Sequence, residues 1–249
     1  MAANLSPQQP PRLILSSRPG EPARVLEPGK KHRIDRRMVD ICFVFDTTGS
    51  MSDKRDGLIQ CLIEFVDELA RLALDWRVTV VPFGDLTVEG DVIVGSLPFV
   101  ADPESASRLL TEMVRNGGGG NGGESSLEAM LAALAKPYRA GAVKVFVLLT
   151  DEPALTDRSN PAQIEAALRL GEVVTFVASP DLPYFRRWAE ITGGAWYDID
   201  SYFDYSGVLG MLKGLVQQVA RVAAAVHTLA QGSVAQYLEL PPGRRELPP

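Results

Sequence analysis

DICFVFDTTGSMSD, residues 40–53, is the stretch on which the fold turns. Its first half lies in a short apolar run, VDICFVF (39–45), rich in β-branched and aromatic residues, which reads as a buried strand. The run stops at Asp46. Hydroxyls and a glycine follow at once, and then a helical pattern begins: Leu58, Cys61, Leu62, Phe65, Leu69 and Leu72 recur at helical spacing. Strand, polar loop, helix is the opening unit of an α/β sheet. In such sheets, ligands bind beyond the carboxyl ends of the strands, which is where Asp46 falls. Three roles for Asp46 fit that position: nucleophile, metal ligand, or the polar end of a strand.

The pattern repeats along the chain. RVTVVPF (77–83), VKVFVLLT (143–150), VVTFVA (173–178) and GAWYDI (194–199) read as further strands. Helical segments are expected at 103–114, 124–135, 161–170, 181–191 and 206–230, and IVGSLPF (93–99) suggests a short edge strand. Short apolar strands alternating with helices predict an α/β fold. Its architecture is a doubly wound, mainly parallel sheet with helices on both faces. The expected organisation is an N-terminal extension (1–37), one domain (38–230) and a loose C-terminal tail (231–249). In the extension, RLIL and ARVL are candidate short strands. The basic run Lys30, Lys31, Arg33, Arg36 and Arg37 reads as a solvated linker.

Composition limits the function. Apolar residues make up 46% of the 249, enough for a sizeable core. The net charge of −6 argues against nucleic acid as the main partner. Cys42 and Cys61 sit in apolar patterns and read as reduced core thiols. With only His32 and His227 besides, no zinc cluster is expected. The start of the chain lacks signal-peptide features, and no apolar run reaches the ~18 residues of a membrane span. The expectation is a soluble, cytoplasmic protein.

Polar clusters end several strands: Asp46 to Ser52, Gly84 with Asp85, and Asp151 with Glu152. The glycine loop NGGGGNGG (116–123) precedes Glu124. It lacks the Lys-Ser/Thr of a phosphate-binding loop and reads as a mobile loop needing positive φ angles. Carboxylates with hydroxyls, without Cys or His, form a hard oxygen site suited to Mg²⁺, Mn²⁺ or Ca²⁺. At 46, 48 and 50, alternate residues of an extended turn bring one carboxylate and two hydroxyls to one side.

DICFVFDTTGSMSD, with LLTDEP far along the chain, resembles the von Willebrand factor A family over roughly residues 38–230. The Asp-x-Thr-x-Ser form matches that family's metal-ion-dependent adhesion site. The resemblance implies a divalent cation, usually Mg²⁺, held by Asp46, Thr48 and Ser50 of the first loop and Asp151 of the third. It also implies a protein partner whose acidic residue completes the shell, in some cytosolic members within AAA-type ATPase complexes. Glu124 stands where the family has a threonine. As a ligand it leaves the site near −1 and attracts an acidic partner less, or fills the open position itself. As a plain helix-start residue it only favours the helix N-terminus.

Two other readings stay open. DTTGSMS is similar to the phosphorylated loop of haloacid-dehalogenase-like phosphotransferases, with Asp46 as nucleophile. Those enzymes place a flap after this loop, and most carry a second aspartate where Thr48 stands. The other reading is a metal-free scaffold. Ser50 has no histidine base at suitable spacing, and the expectation is a binding module, not an enzyme.

Overall fold

The computed structural model describes residues 38–72, 74–118, 120, 122–199, 205–241 and 244–245, with backbone alone for 205–209, 211 and 212. The RLIL and ARVL segments and the basic run lie outside the described residues.

Five strands form one sheet, β1 (Met38–Asp46), β2 (Asp75–Phe83), β3 (Val143–Leu149), β4 (Val173–Ser179) and β5 (Trp196–Asp198), in the order β2-β1-β3-β4-β5. Every pairing is parallel. The helices are α1 (Ser52–Ala70), α2 (Pro103–Thr111), α3 (Ser126–Leu134), α4 (Pro161–Leu170), α5 (Pro183–Ile191), α6 (Tyr205–Leu229) and α7 (Val234–Glu239). This is the doubly wound architecture that the alternating pattern predicts.

The apolar run Ile41–Phe45 of β1 follows from its central place, because both faces of the strand are covered. Ile41, Phe43 and Phe45 enter the core that α1, α2 and α6 share, and Cys42 and Val44 enter the core under α3, α4 and α5. Phe43 meets Phe65 of α1 edge-to-face, ring centroids 5.5 Å apart. Burial of each such ring contributes about 1.5–3 kcal/mol. Both cysteines are reduced thiols buried in the core, as their apolar settings suggest. Trp188 is buried, and Trp196 donates its indole N–H to Ser179 Oγ.

Side-chain caps set the starts of α2 and α4. Asp102 accepts from Ser105 N ahead of Pro103, and Asn160 with Gln163 forms a capping box ahead of Pro161. The α4 start therefore falls where expected.

Two expectations change. IVGSLPF makes no edge strand: the segment runs irregularly beside β2, meeting it through the Val94 N–H, which donates to Pro82 O, and, one residue beyond, an antiparallel bridge between Val78 and Val100. Pro82 in β2 and Pro98 in the segment both lack the N–H that a ladder requires. Side chains satisfy its carbonyls instead: Thr79 donates to Leu97 O, and the buried Lys136 ammonium donates to Gly95 O and Leu97 O. The second change is at the C-terminus. Residues 234–239 form α7, whose Val234 and Tyr237 are buried in the larger core. Ser233 caps that helix by accepting from Gln236 N.

Gly194 enables the β4–β5 contact. A Cβ there lies 2.0 Å from Thr175 O and 2.6 Å from Thr175 C, both backbone atoms that cannot turn aside. Gly194→Ala is expected to push β5 off β4 and to cost about 3 kcal/mol or more, beyond ordinary overpacking. Urea unfolding measures this; a midpoint equal to wild type would show that the edge strand yields freely.

Candidate functional site

The chain order reverses between β1 and β3. β2 lies on one side of β1, and β3, β4 and β5 lie on the other. The loops after β1 and β3 therefore open at the switch point, where crevices form in such sheets.

Asp46 ends β1 fully buried. Its Oδ1 accepts from Thr48 N at 3.0 Å and from Thr48 Oγ1 at 2.6 Å. Its Oδ2 accepts from Thr150 Oγ1 at 2.7 Å. Thr48 Oγ1 lies 3.1 Å from Ser50 Oγ, and Ser50 donates to Asp151 Oδ1 at 2.9 Å. Asp46, Thr48, Ser50 and Asp151 thus form one chain of oxygen contacts that joins two loops 101 residues apart, in which Thr48 and Ser50 each give their single proton to a carboxylate. Thr48 is buried and Ser50 exposed, so the chain runs from the core out to solvent.

Glu124 joins from the second loop, ahead of α3. Its N–H donates to Pro153 O and its carbonyl accepts from Leu155 N, which stitches it to the loop after β3. It therefore stands ahead of α3, which starts at Ser126, and not in the helix. Its side chain lies beside Thr48. Glu124 Oε2 is buried with no hydrogen-bond partner. A buried carboxylate oxygen without a donor is costly, and it is the kind of atom a cation satisfies.

The electrostatics agree. Burial, with the Asp151 charge adding to it, pushes Asp46 up to about 6 against the hydrogen bonds from Thr48 and Thr150. Burial, followed by the charges on Asp46 and Asp85, pushes Glu124 up to about 8. Without a cation, Glu124 therefore keeps a proton through much of the neutral range.

The glycine loop has tight supports that its composition did not reveal. Asp91 accepts from Gly117 N, Gly118 N and Asp85 N. Asn116 donates to Thr47 Oγ1 at 2.9 Å, and Gly49 N donates to Gly117 O at 3.1 Å. The expected positive φ values occur at Gly118, Gly120 and Gly122. At Gly118 a Cβ lies 3.0 Å from Thr48 Cβ and 3.2 Å from Glu124 Oε1, so a bare backbone lets those two side chains meet. Asp85 forms a turn, its Oδ1 accepting from Thr87 N and Oγ1. His227 lies in the last turn of α6, within 3.5 Å of Met38 O at the other end of β1.

Sequence reasoning missed Thr150, Asp91, Asn116 and Lys54. Thr150 had a signal, since it stands between the end of β3 and Asp151. Lys54 had none: its ammonium donates to Asp151 Oδ2 at 2.8 Å, a contact that only the packing of α1 against the third loop creates. Among the described residues, no three His, Cys, Asp or Glu side chains gather as a metal cage. Two of the candidate donors here, Thr48 and Ser50, are hydroxyls.

The family profile of the von Willebrand factor type A domain matches residues 40–185. The chain belongs to that family. The matched span contains Asp46, Thr48, Ser50, Glu124 and Asp151. No curated protein matches this von Willebrand factor A domain by sequence. Among solved structures it is similar to proximal thread matrix protein 1 from the mussel byssus. The TM-score is 0.53 at 15% identity, over 74% of this chain. The alignment spans 46% of that longer chain, and at this identity the likeness shows the fold alone. Family members are generally protein-interaction modules. Among the described residues, no helix is long and apolar enough to cross a membrane.

Proposed function

We propose that this von Willebrand factor A domain binds a protein partner through a metal-ion-dependent adhesion site, without catalysis. Asp46, Thr48, Ser50 and Asp151 are its ligand set, and Glu124 is a further carboxylate of the same site. The observation that carries the reading is the chain of oxygen contacts through those four side chains at the switch point, with the unpartnered Glu124 Oε2 beside it. All the donors are hard oxygens, which suits Mg²⁺ first and Mn²⁺ or Ca²⁺ next. A bound divalent cation would supply an electrophilic point on which an acidic residue of the partner closes.

The partner class is a protein with an exposed Asp or Glu. An AAA-type ATPase complex in the cytoplasm is the setting that the resemblance suggests, and buried reduced Cys42 and Cys61 suit that compartment. The phosphotransferase alternative calls for a flap after the nucleophile loop. Here a 3-10 turn begins at Gly49 and α1 at Ser52, which leaves no such insert.

Calorimetric titration with Mg²⁺ tests the reading. Wild type is expected to bind and to gain thermal stability. Asp46→Ala is expected to lose more affinity than the roughly 10–100-fold that loss of an outer-shell partner costs. Pull-downs with and without EDTA complete the test. Absence of heat and of a thermal shift would leave the metal-free scaffold, and EDTA-insensitive partners would remove the cation from recognition.

A further inference from the structure

Lys54 has no evident reason to sit where it does. It lies in the first turn of α1, next to Asp53. A helix N-terminus carries partial positive charge and disfavours a cation there. Yet the side chain reaches over the site and donates to Asp151 Oδ2 at 2.8 Å, while Asp151 Oδ1 holds Ser50. The Asp151 side chain is only 7% exposed and the Lys54 side chain 32%, so the ammonium forms the solvent side of the carboxylate.

We propose that Lys54 is the counter-charge that lets this site carry Glu124 as a third carboxylate, an inference that rests on the reading of the site as a divalent-cation site. Asp46 interacts through charge with both Asp151 and Glu124, so three carboxylate charges lie around the site. A divalent cation cancels two and leaves the shell negative, which repels an acidic partner. The Lys54 ammonium cancels the third. Lys54 is therefore a positioning and charge-balancing residue, and it also opposes the approach of the cation. The acid at 124 and the base at 54 compensate each other. Asp85 and Glu152 place further negative charge around Glu124, which increases the need for a nearby cation.

Mg²⁺ titration of wild type, Lys54→Met, Lys54→Arg, Glu124→Gln and the Lys54→Met/Glu124→Gln double variant tests the inference. Lys54→Met keeps the length of the side chain and removes its charge. It is expected to bind Mg²⁺ roughly tenfold more tightly, because a like charge beside the ion is gone. Glu124→Gln is expected to bind more weakly, and the double variant to return toward wild type. Lys54→Arg is expected to retain wild-type affinity. Lys54 is partly exposed, so these variants should fold, and thermal melts without metal report a purely structural loss. Wild-type Mg²⁺ affinity in Lys54→Met, with only a lower melting temperature, would overturn the role of Lys54 and leave the metal reading intact. No Mg²⁺ binding by wild type would overturn both.

Discussion

Asp40→Ala is expected to destabilise the domain by about 3–5 kcal/mol, the cost of breaking a buried charge pair from one side. Asp40 is fully buried near the start of β1. It accepts from Arg77 Nε at 2.9 Å and Nη2 at 2.6 Å, and from Arg139 N at 2.7 Å and Nε at 2.8 Å. Arg139 also reaches Asp75 Oδ1 and the carbonyl oxygens of Asp75 and Val39. One carboxylate thus ties β1, β2 and the loop before β3 together at the end of the sheet opposite the candidate site. Alanine leaves two guanidinium groups facing a gap and frees the N–H of Arg139. For a domain of this size, the melting temperature should fall on the order of 10 °C. Denaturant unfolding should show a lower midpoint at unchanged slope. Mg²⁺ affinity should stay as in wild type. A loss below about 1 kcal/mol would mean that the network behaves like an exposed ion pair.

Mg²⁺ affinity is expected to fall about 100-fold between pH 8 and pH 6 if Glu124 must be ionised for binding. Metal ligands have to shed their protons, so affinity follows the ionised fraction. A group titrating at about 8 is half ionised at pH 8 and about 1% ionised at pH 6. Asp46, held at about 6, adds about a further twofold. If Glu124 stays outside the shell, only that factor of about two remains, so one pH series separates the two roles of Glu124. The metal-free fold should show the matching trend. Both folded-state values lie above the ordinary carboxylate range. Their contribution to stability is complete below the unfolded values near pH 4 and is lost as pH rises through about 6 and about 8. Saturating Mg²⁺ should reverse that loss, because it binds the ionised form. Thermal melts at pH 5 and pH 8, with and without Mg²⁺, check both signs.

The strands and helices were legible because each carries a local period. VFVLL (145–149) is apolar without a break because β3 lies between β1 and β4 with both faces covered. The helical spacing from Leu58 to Leu69 marks the face of α1 that packs on the sheet. The edge strand expected at IVGSLPF failed for a reason that period does not register: prolines at 82 and 98 remove ladder donors, and a buried lysine takes the free carbonyls. The C-terminal helix escaped notice because six residues are too few to show a period. Only the core supplied by α6 gives Val234 and Tyr237 a place to bury.

The same division holds at the site. Asp46, Thr48 and Ser50 lie within five consecutive residues, so their convergence was readable from the chain alone. Their partners came from elsewhere: Asp151 and Thr150 from the far side of the strand reversal, Asn116 and Asp91 to pin the glycine loop, and Lys54 across Asp151. Asp40 was visible as an acid within an apolar strand, yet Arg77 and Arg139 lie 37 and 99 residues away. By itself the sequence determined the elements, their α/β order and the first loop of the site, because these depend on local period and on adjacent residues. The tertiary structure alone decided which charges face one another, because strand order and helix packing bring together side chains that no local spacing relates. That includes the pairing of Lys54 with Asp151 and the unpartnered oxygen of Glu124.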